Sequence, residues 1–260
     1  MTIRADLHIH SCLSPCGDLA MSPRTIADRA LEAGLNLVAL TDHNAARNVP
    51  AFAEACRERN LRALYGCEVT TSEEVHVLAL YADVQTAVAF GDEIYASLPP
   101  LEMDPERYGD QVVVDTEETI VETLTSYLIG ATSFSLSEVG RMIHDRGGLF
   151  IPAHIDRTAF SIWSQLGFLP TDDYDAVEMV GPPGISRAVH RGSPTQPGTS
   201  AAAARTPPID PGRYPVVAFS DAHQPDLIGS SYTEFEADEP SLAAFRTALG
   251  ECRVRPHVGR

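Results

Sequence analysis

Apolar and polar positions fall into recurring blocks along the 260-residue chain. Short apolar runs at 2–7 (TIRADL), 35–41 (LNLVALT), 61–68 (LRALYGCE), 74–81 (EVHVLALY), 149–154 (LFIPAH), 175–180 (DAVEMV) and 214–223 (YPVVAFSDAH) read as strands. Stretches at 21–34, 50–60, 135–148 and 239–250 read as helices. In the first, Ser22 suits the N-cap, Pro23 the first helical position and Gly34 the C-terminal stop. In the third, Ser135 and Glu138 have capping-box spacing.

Strands alternating with helices predict an α/β fold with a largely parallel sheet under helices. About seven strands favour a closed or distorted barrel over an open sheet. The link between the third and fourth strands is too short for a crossover helix. A helical, acidic insertion is expected at about 83–132, and a flexible Gly/Pro/Ser-rich loop at about 181–211. The whole chain, 1–260, is expected to form one domain.

Composition narrows the function. The net charge of −17, with no basic stripe, argues against a grip on long nucleic acid. Carboxylates awaiting divalent cations are a second source of such acidity. All 19 basic residues are arginine, so Schiff-base, P-loop-lysine and carbamylated-lysine chemistry is excluded. Five sparse cysteines, no signal-peptide pattern and no long apolar run predict a cytoplasmic protein without a membrane span.

The chemistry lies in the histidines. His8, His10, His43, His154 and His223 fall at or near the ends of predicted strands, and His76 lies within one. In a barrel, strand C-termini are where active sites are built. Side chains two apart share a face, so Asp6, His8 and His10 point one way and Asp221 and His223 repeat the pattern. Glu68 ends the third strand, where its two oxygens could bridge two ions. Neutral imidazoles with carboxylates suit zinc, manganese or iron better than magnesium or calcium. His144, His190 and His257 read as surface, loop and tail residues. A cysteine-bound structural zinc is disfavoured, because no C-x-x-C pair exists to accompany Cys12 and Cys16.

The motifs DLHIH, TDHN, IPAH and SDAH, in that order over residues 6–223, resemble the PHP (polymerase and histidinol phosphatase) superfamily. The run DLHIHSCLSPCGD with GCEVTTSEEVH looks like the stand-alone bacterial phosphoesterases of that family. The resemblance implies a distorted (β/α)7, TIM-like barrel with a cluster of about two to three divalent ions at the strand C-termini. It also implies a ligand set. His8, His10, Glu68 and Asp221 would hold the first ion. His43 and His223, joined by Asp18, would hold the second. Glu68, His76 and His154 would hold the third.

Adjacent ions lower the pKa of a shared water and clamp phosphoryl oxygens, so attack by a bridging hydroxide on phosphorus is the expected mechanism. Glu68 and Asp221 are the candidate catalytic carboxylates. Arg157 is the candidate phosphate contact, since guanidinium matches phosphate geometry, with a salt bridge as its other role. Asn44 could orient a ligand, touch substrate or simply form a turn. The expected substrate is a small phosphorylated metabolite, a nucleotide or a short oligonucleotide. An amidohydrolase-type C–N hydrolase and a non-catalytic metal-binding regulatory domain are the alternatives.

Overall fold

A computed structural model describes residues 1–181 and 209–259. Strand β1 (Thr2–Asp6) leads through a loop to helix α1 (Pro23–Glu32), then β2 (Leu37–Leu40), α2 (Val49–Glu58) and β3 (Arg62–Thr70). A tight turn gives β4 (His76–Tyr81), followed by α3 (Val84–Ala96), one-turn α4 (Pro105–Tyr108) and the hairpin β5 (Val112–Val114) and β6 (Ile120–Thr123). Next come α5 (Leu136–Asp145), β7 (Leu149–Pro152), short α6 (Ile162–Leu166) and β8 (Val177–Glu178). The chain ends with β9 (Val216–Val217), β10 (Tyr232–Glu236), α7 (Leu242–Gly250) and β11 (Val254–His257).

The main sheet runs β11-β10-β1-β2-β3-β4-β7. Its β1-β2-β3 pairs are parallel, as the intervening helices require. The β3-β4 pair is antiparallel, as its short link demands. Gly66 permits this close pairing, because a Cβ there would lie 1.7 Å from the Ala79 carbonyl oxygen. Strands β8 and β9 form a separate parallel pair rather than continuing the main ladder. Hydrogen bonds tie that pair to both sides: Ile155 N donates to Glu178 O, and His10 N donates to Ala222 O just beyond β9.

Packing explains the uninterrupted apolar runs. In β2, Leu37 and Ala39 join one buried cluster with Ile3, Leu78 and Ile151, while Val38 and Leu40 join another beneath α1, α2 and α3. Both faces are covered, so alternation disappears. Helix α1 buries Ile26, Ala27 and Ala30 on one side. Its cap is as expected, with Ser22 Oγ accepting from Thr25 N, and α5 carries the Ser135–Glu138 capping box.

The sequence pattern does not anticipate β10 and β11, which form an antiparallel edge beside β1. Nor does it anticipate the hairpin in the acidic insertion, although α3 fills the helical part. Most of the expected flexible loop at 181–211, with His190, lies outside the described residues. No described helix is long and apolar enough to cross a membrane.

Candidate metal centre

The site grows from residues just past the strand ends. After β1 the chain continues extended, which places His8 and His10 on one side, both fully buried. Their Nε2 atoms face each other at 3.1 Å. Two imidazole nitrogens at that distance can each keep a lone pair only if both aim at something that accepts lone pairs. Asp221 Oδ1 lies 3.3 Å from His8 Nε2 and 3.1 Å from His10 Nε2.

Glu68, near the end of β3, is the hub. Its Oε1 lies 2.9 Å from His76 Nδ1, 3.0 Å from His154 Nε2 and 3.3 Å from His8 Nε2. Its Oε2 lies 2.9 Å from His43 Nδ1 and 3.5 Å from His10 Nε2. The cross-strand register sets Thr70 opposite His76 in the β3-β4 pair. His223 completes the ring, stacking on His10 at 4.1 Å between centroids. The backbone is left-handed at His154 (φ 30°) and Asp221 (φ 49°), conformations that bulky residues adopt at a cost and that cluster at functional sites.

Electrostatics follows from this crowding. Burial opposes charge on Glu68, but His76, His8 and His43 outweigh it and hold the carboxyl well below its usual range. Burial likewise opposes ionisation of Asp221, yet His8, Arg157 and His223 hold it well below its usual value. His8 is raised despite burial by Glu178, Asp221 and Glu68, and His43 is raised by Cys16 and Glu68. His10 is lowered by burial and by His223 and His43, and His76 is lowered by burial to about 4.

This donor set fits divalent ions. Three groups place ligand atoms within 4.8 Å of one another: His10 with His43 and His223, His8 with His10 and Glu68, and His43 with Glu68 and His76. His76 Nε2 and His154 Nδ1 are buried without a hydrogen-bond partner, and His43 Nδ1 and Glu68 Oε2, though 2.9 Å apart, make no well-directed hydrogen bond. Buried polar atoms are rarely left so unless a ligand satisfies them. Neutral nitrogen with carboxylate oxygen is the ligand chemistry of zinc, manganese and iron.

Two expected residues do not join the cluster. Asp18 is exposed and its Oδ1 accepts from Ala20 N in a local turn, so it does not face His43 and His223. Cys16 is exposed as well, and its thiol, although penalised by desolvation, is brought down to about 6 by His43 and His223. Asn44 is fully buried, and both ends of its amide are occupied. Its nitrogen donates to Leu128 O and Gly130 O, while its oxygen accepts from Thr70 N, so it fastens the acidic insertion to β3. Arg157 pairs with Asp221 at the mouth of the cluster.

Two supporting carboxylates escaped the sequence reading. Glu178 accepts from His8 Nδ1 and from His154 N. Asp42 accepts from Ser11 N, Ser11 Oγ and Ser14 Oγ, and Ser14 Oγ in turn lies 3.0 Å from His10 Nδ1. Both lie beside strand ends, in DAVEMV and TDHN, which is the signal that could have found them. A cavity of about 690 Å³ lies nearby, lined by Cys12, Leu19, Arg29, Glu118 and Ile120 among others. No member of the cluster lines it.

The sequence profile of the PHP domain matches residues 6–156, which include DLHIH, TDHN and IPAH. The chain belongs to the PHP family. A second profile, PHP-associated, matches residues 213–254 of this PHP chain, including SDAH. Over 86 residues it is 33% identical to a 5'-3' exoribonuclease of Haemophilus influenzae, a match covering 32% of this chain and 30% of that protein. Over 90 residues it is 37% identical to a 3',5'-nucleoside bisphosphate phosphatase of Chromobacterium violaceum, covering 33% of this chain and 30% of that protein. The match therefore spans under a third of either curated relative. Among solved structures, the lesion-specific endonuclease PfuEndoQ from Pyrococcus furiosus superposes with a TM-score of 0.66 at 18% identity, over 96% of this chain and 56% of that one. At that identity the likeness is one of fold.

Proposed function

We propose that this PHP protein is a metal-dependent phosphoesterase acting on a small phosphorylated metabolite or a short nucleotide. The observation that carries the proposal is the convergence of five histidines on the two oxygens of one buried carboxylate, Glu68. Bound divalent ions would supply an ionised water near neutral pH and would offset charge on phosphoryl oxygens.

The protein's own residues do the rest. His8, His10, Glu68 and Asp221 would hold one ion, Glu68, His76 and His154 another, and His43 with His223 a further one. Glu178 keeps the His8 ring oriented so that its Nε2 faces the cluster. Arg157 is more exposed than the cluster, with its side chain 40% accessible, and so is placed to meet phosphate oxygens entering from solvent. The −17 net charge favours a short substrate, because a long polyanion would be repelled by a chain of that charge. A panel of phosphomonoesters, phosphodiesters and nucleotides tests the proposal. Phosphate release that chelator stops and added zinc, manganese or iron restores is expected. Absence of turnover on every phosphate ester with ions bound would overturn it.

A further inference from the structure

We infer that Phe160 is a specificity-determining residue, its ring a platform for a planar aromatic ring in the leaving group of the phosphate ester, such as the base of a nucleotide. The inference rests on the phosphoesterase reading above and deepens it. The Phe160 ring stacks on His76 at 4.8 Å between centroids and 18° between planes. His76 Nδ1 in turn lies 2.9 Å from Glu68 Oε1, so the stack stands directly on the cluster. Among the described residues, no other phenylalanine, tyrosine or tryptophan ring stacks on a cluster histidine. One face of the Phe160 ring is taken by His76, yet the residue remains 37% exposed, so its open surface is the other face and the edge. A ring that served only to seal His76 from water would be more stable fully buried.

The backbone holds the ring there at a cost. Phe160 has φ 53°, a left-handed conformation that bulky residues rarely adopt and glycine takes freely. Neighbouring bonds fix it. The Phe160 carbonyl oxygen accepts from His76 N at 3.0 Å. Ser161 Oγ donates to Arg157 O at 2.7 Å and accepts from Ser164 N at the start of α6. Arg157 N donates to His154 O. One tight turn therefore presents both the guanidinium beside Asp221 and the ring over His76. Strain that surrounding bonds hold in place is found at ligand clamps.

A phosphate ester whose phosphoryl group meets the ions and Arg157 would lay a planar ring on the open face of Phe160. Every nucleobase has such a face, so the platform favours aromatic esters over aliphatic ones without choosing among bases. Stacking acts on substrate and transition state alike, so it lowers KM without raising kcat.

The test is kinetics and calorimetric binding on the metal-loaded protein. Adenosine 5'-monophosphate and adenosine 3'-monophosphate are compared with ribose 5-phosphate, which lacks the base. The wild type is expected to prefer at least one adenosine monophosphate by about tenfold or more in KM and Kd. Phe160→Gly, which relieves the left-handed strain, should raise KM and Kd for that nucleotide to the ribose 5-phosphate level, with metal content at the wild-type value. Phe160→Trp should restore the preference. No preference in the wild type, or an equal loss on all three esters, would overturn the platform and leave Phe160 as a packing partner of His76. Binding with the expected preference but no turnover of any ester would overturn the phosphoesterase reading and leave the platform standing.

Discussion

His8 Nδ1 lies 3.0 Å from Glu178 Oε2, with both side chains almost completely buried. With an ion bound, the carboxylate would hold the proton on Nδ1 and leave the Nε2 lone pair for the metal beside Glu68 and Asp221. Glu178→Gln should keep the fold but weaken metal retention about 10- to 100-fold, read by competition with a chromogenic chelator. Unchanged affinity would mean that packing alone orients the ring.

Asn44→Ala should act on stability. The substitution strips the buried Leu128 carbonyl, the part-buried Gly130 carbonyl and the Thr70 amide of their partners and leaves alanine at φ 46°. A loss of about 3 kcal/mol in denaturant unfolding is expected, with KM of the surviving folded protein little changed. A raised KM at undiminished stability would instead restore Asn44 as a substrate contact.

These two residues show what the sequence made legible. His8, His43, Glu68, His154 and Asp221 sit at the ends of apolar strands, where period-two alternation and barrel logic both apply. Asn44 lies one residue further on, where its amide is taken up by Leu128, Gly130 and Thr70, partners that no spacing rule predicts. Asp18 lies on an exposed turn whose course depends on how Gly17 packs against Ser11, a contact no spacing rule contains. Strands β10 and β11 were hidden for a different reason. Their sequences, YTEFE and VRPH, are half polar, and β11 carries a proline that only an edge strand tolerates.

Arg157→Met should lower kcat/KM for phosphate esters about 10- to 1000-fold while metal stoichiometry stays at the wild-type value. The guanidinium is the charged donor beside Asp221 at the mouth, and methionine retains its apolar stem without its charge. Lost metal with unchanged kcat/KM per bound ion would assign Arg157 to ligand support instead.

The metal-free protein should melt earlier as pH rises from 6.5 to 9. His8, His43 and His223 are held above their ordinary 6.5, so their contribution is complete below that pH and is lost as pH climbs through the raised values. His10 and His76 are lowered and are neutral in both folded and unfolded states above 6.5, so they do not oppose this trend; Cys16, brought down from 9.0 to about 6, does oppose it, as one group against three. Glu68 and Asp221 are held below 4.5 and 3.8 and lose their contribution only in stronger acid. Metal ligation needs neutral imidazoles, so the rise in Tm on adding metal should grow over the same range. Thermal melts in chelator and in zinc check both slopes, and a metal-free Tm that rises with pH would contradict the charge arrangement.

The convergence on Glu68 is tested most directly by counting metal in purified wild-type protein and in Glu68→Ala after supplementation with zinc, manganese or iron. The wild type should hold about two to three divalent ions per chain. Glu68→Ala should lose most of them, because its carboxylate is the group that the five histidines share. Fewer than about one ion per wild-type chain, or an unchanged count in Glu68→Ala, would contradict a cluster built around that residue.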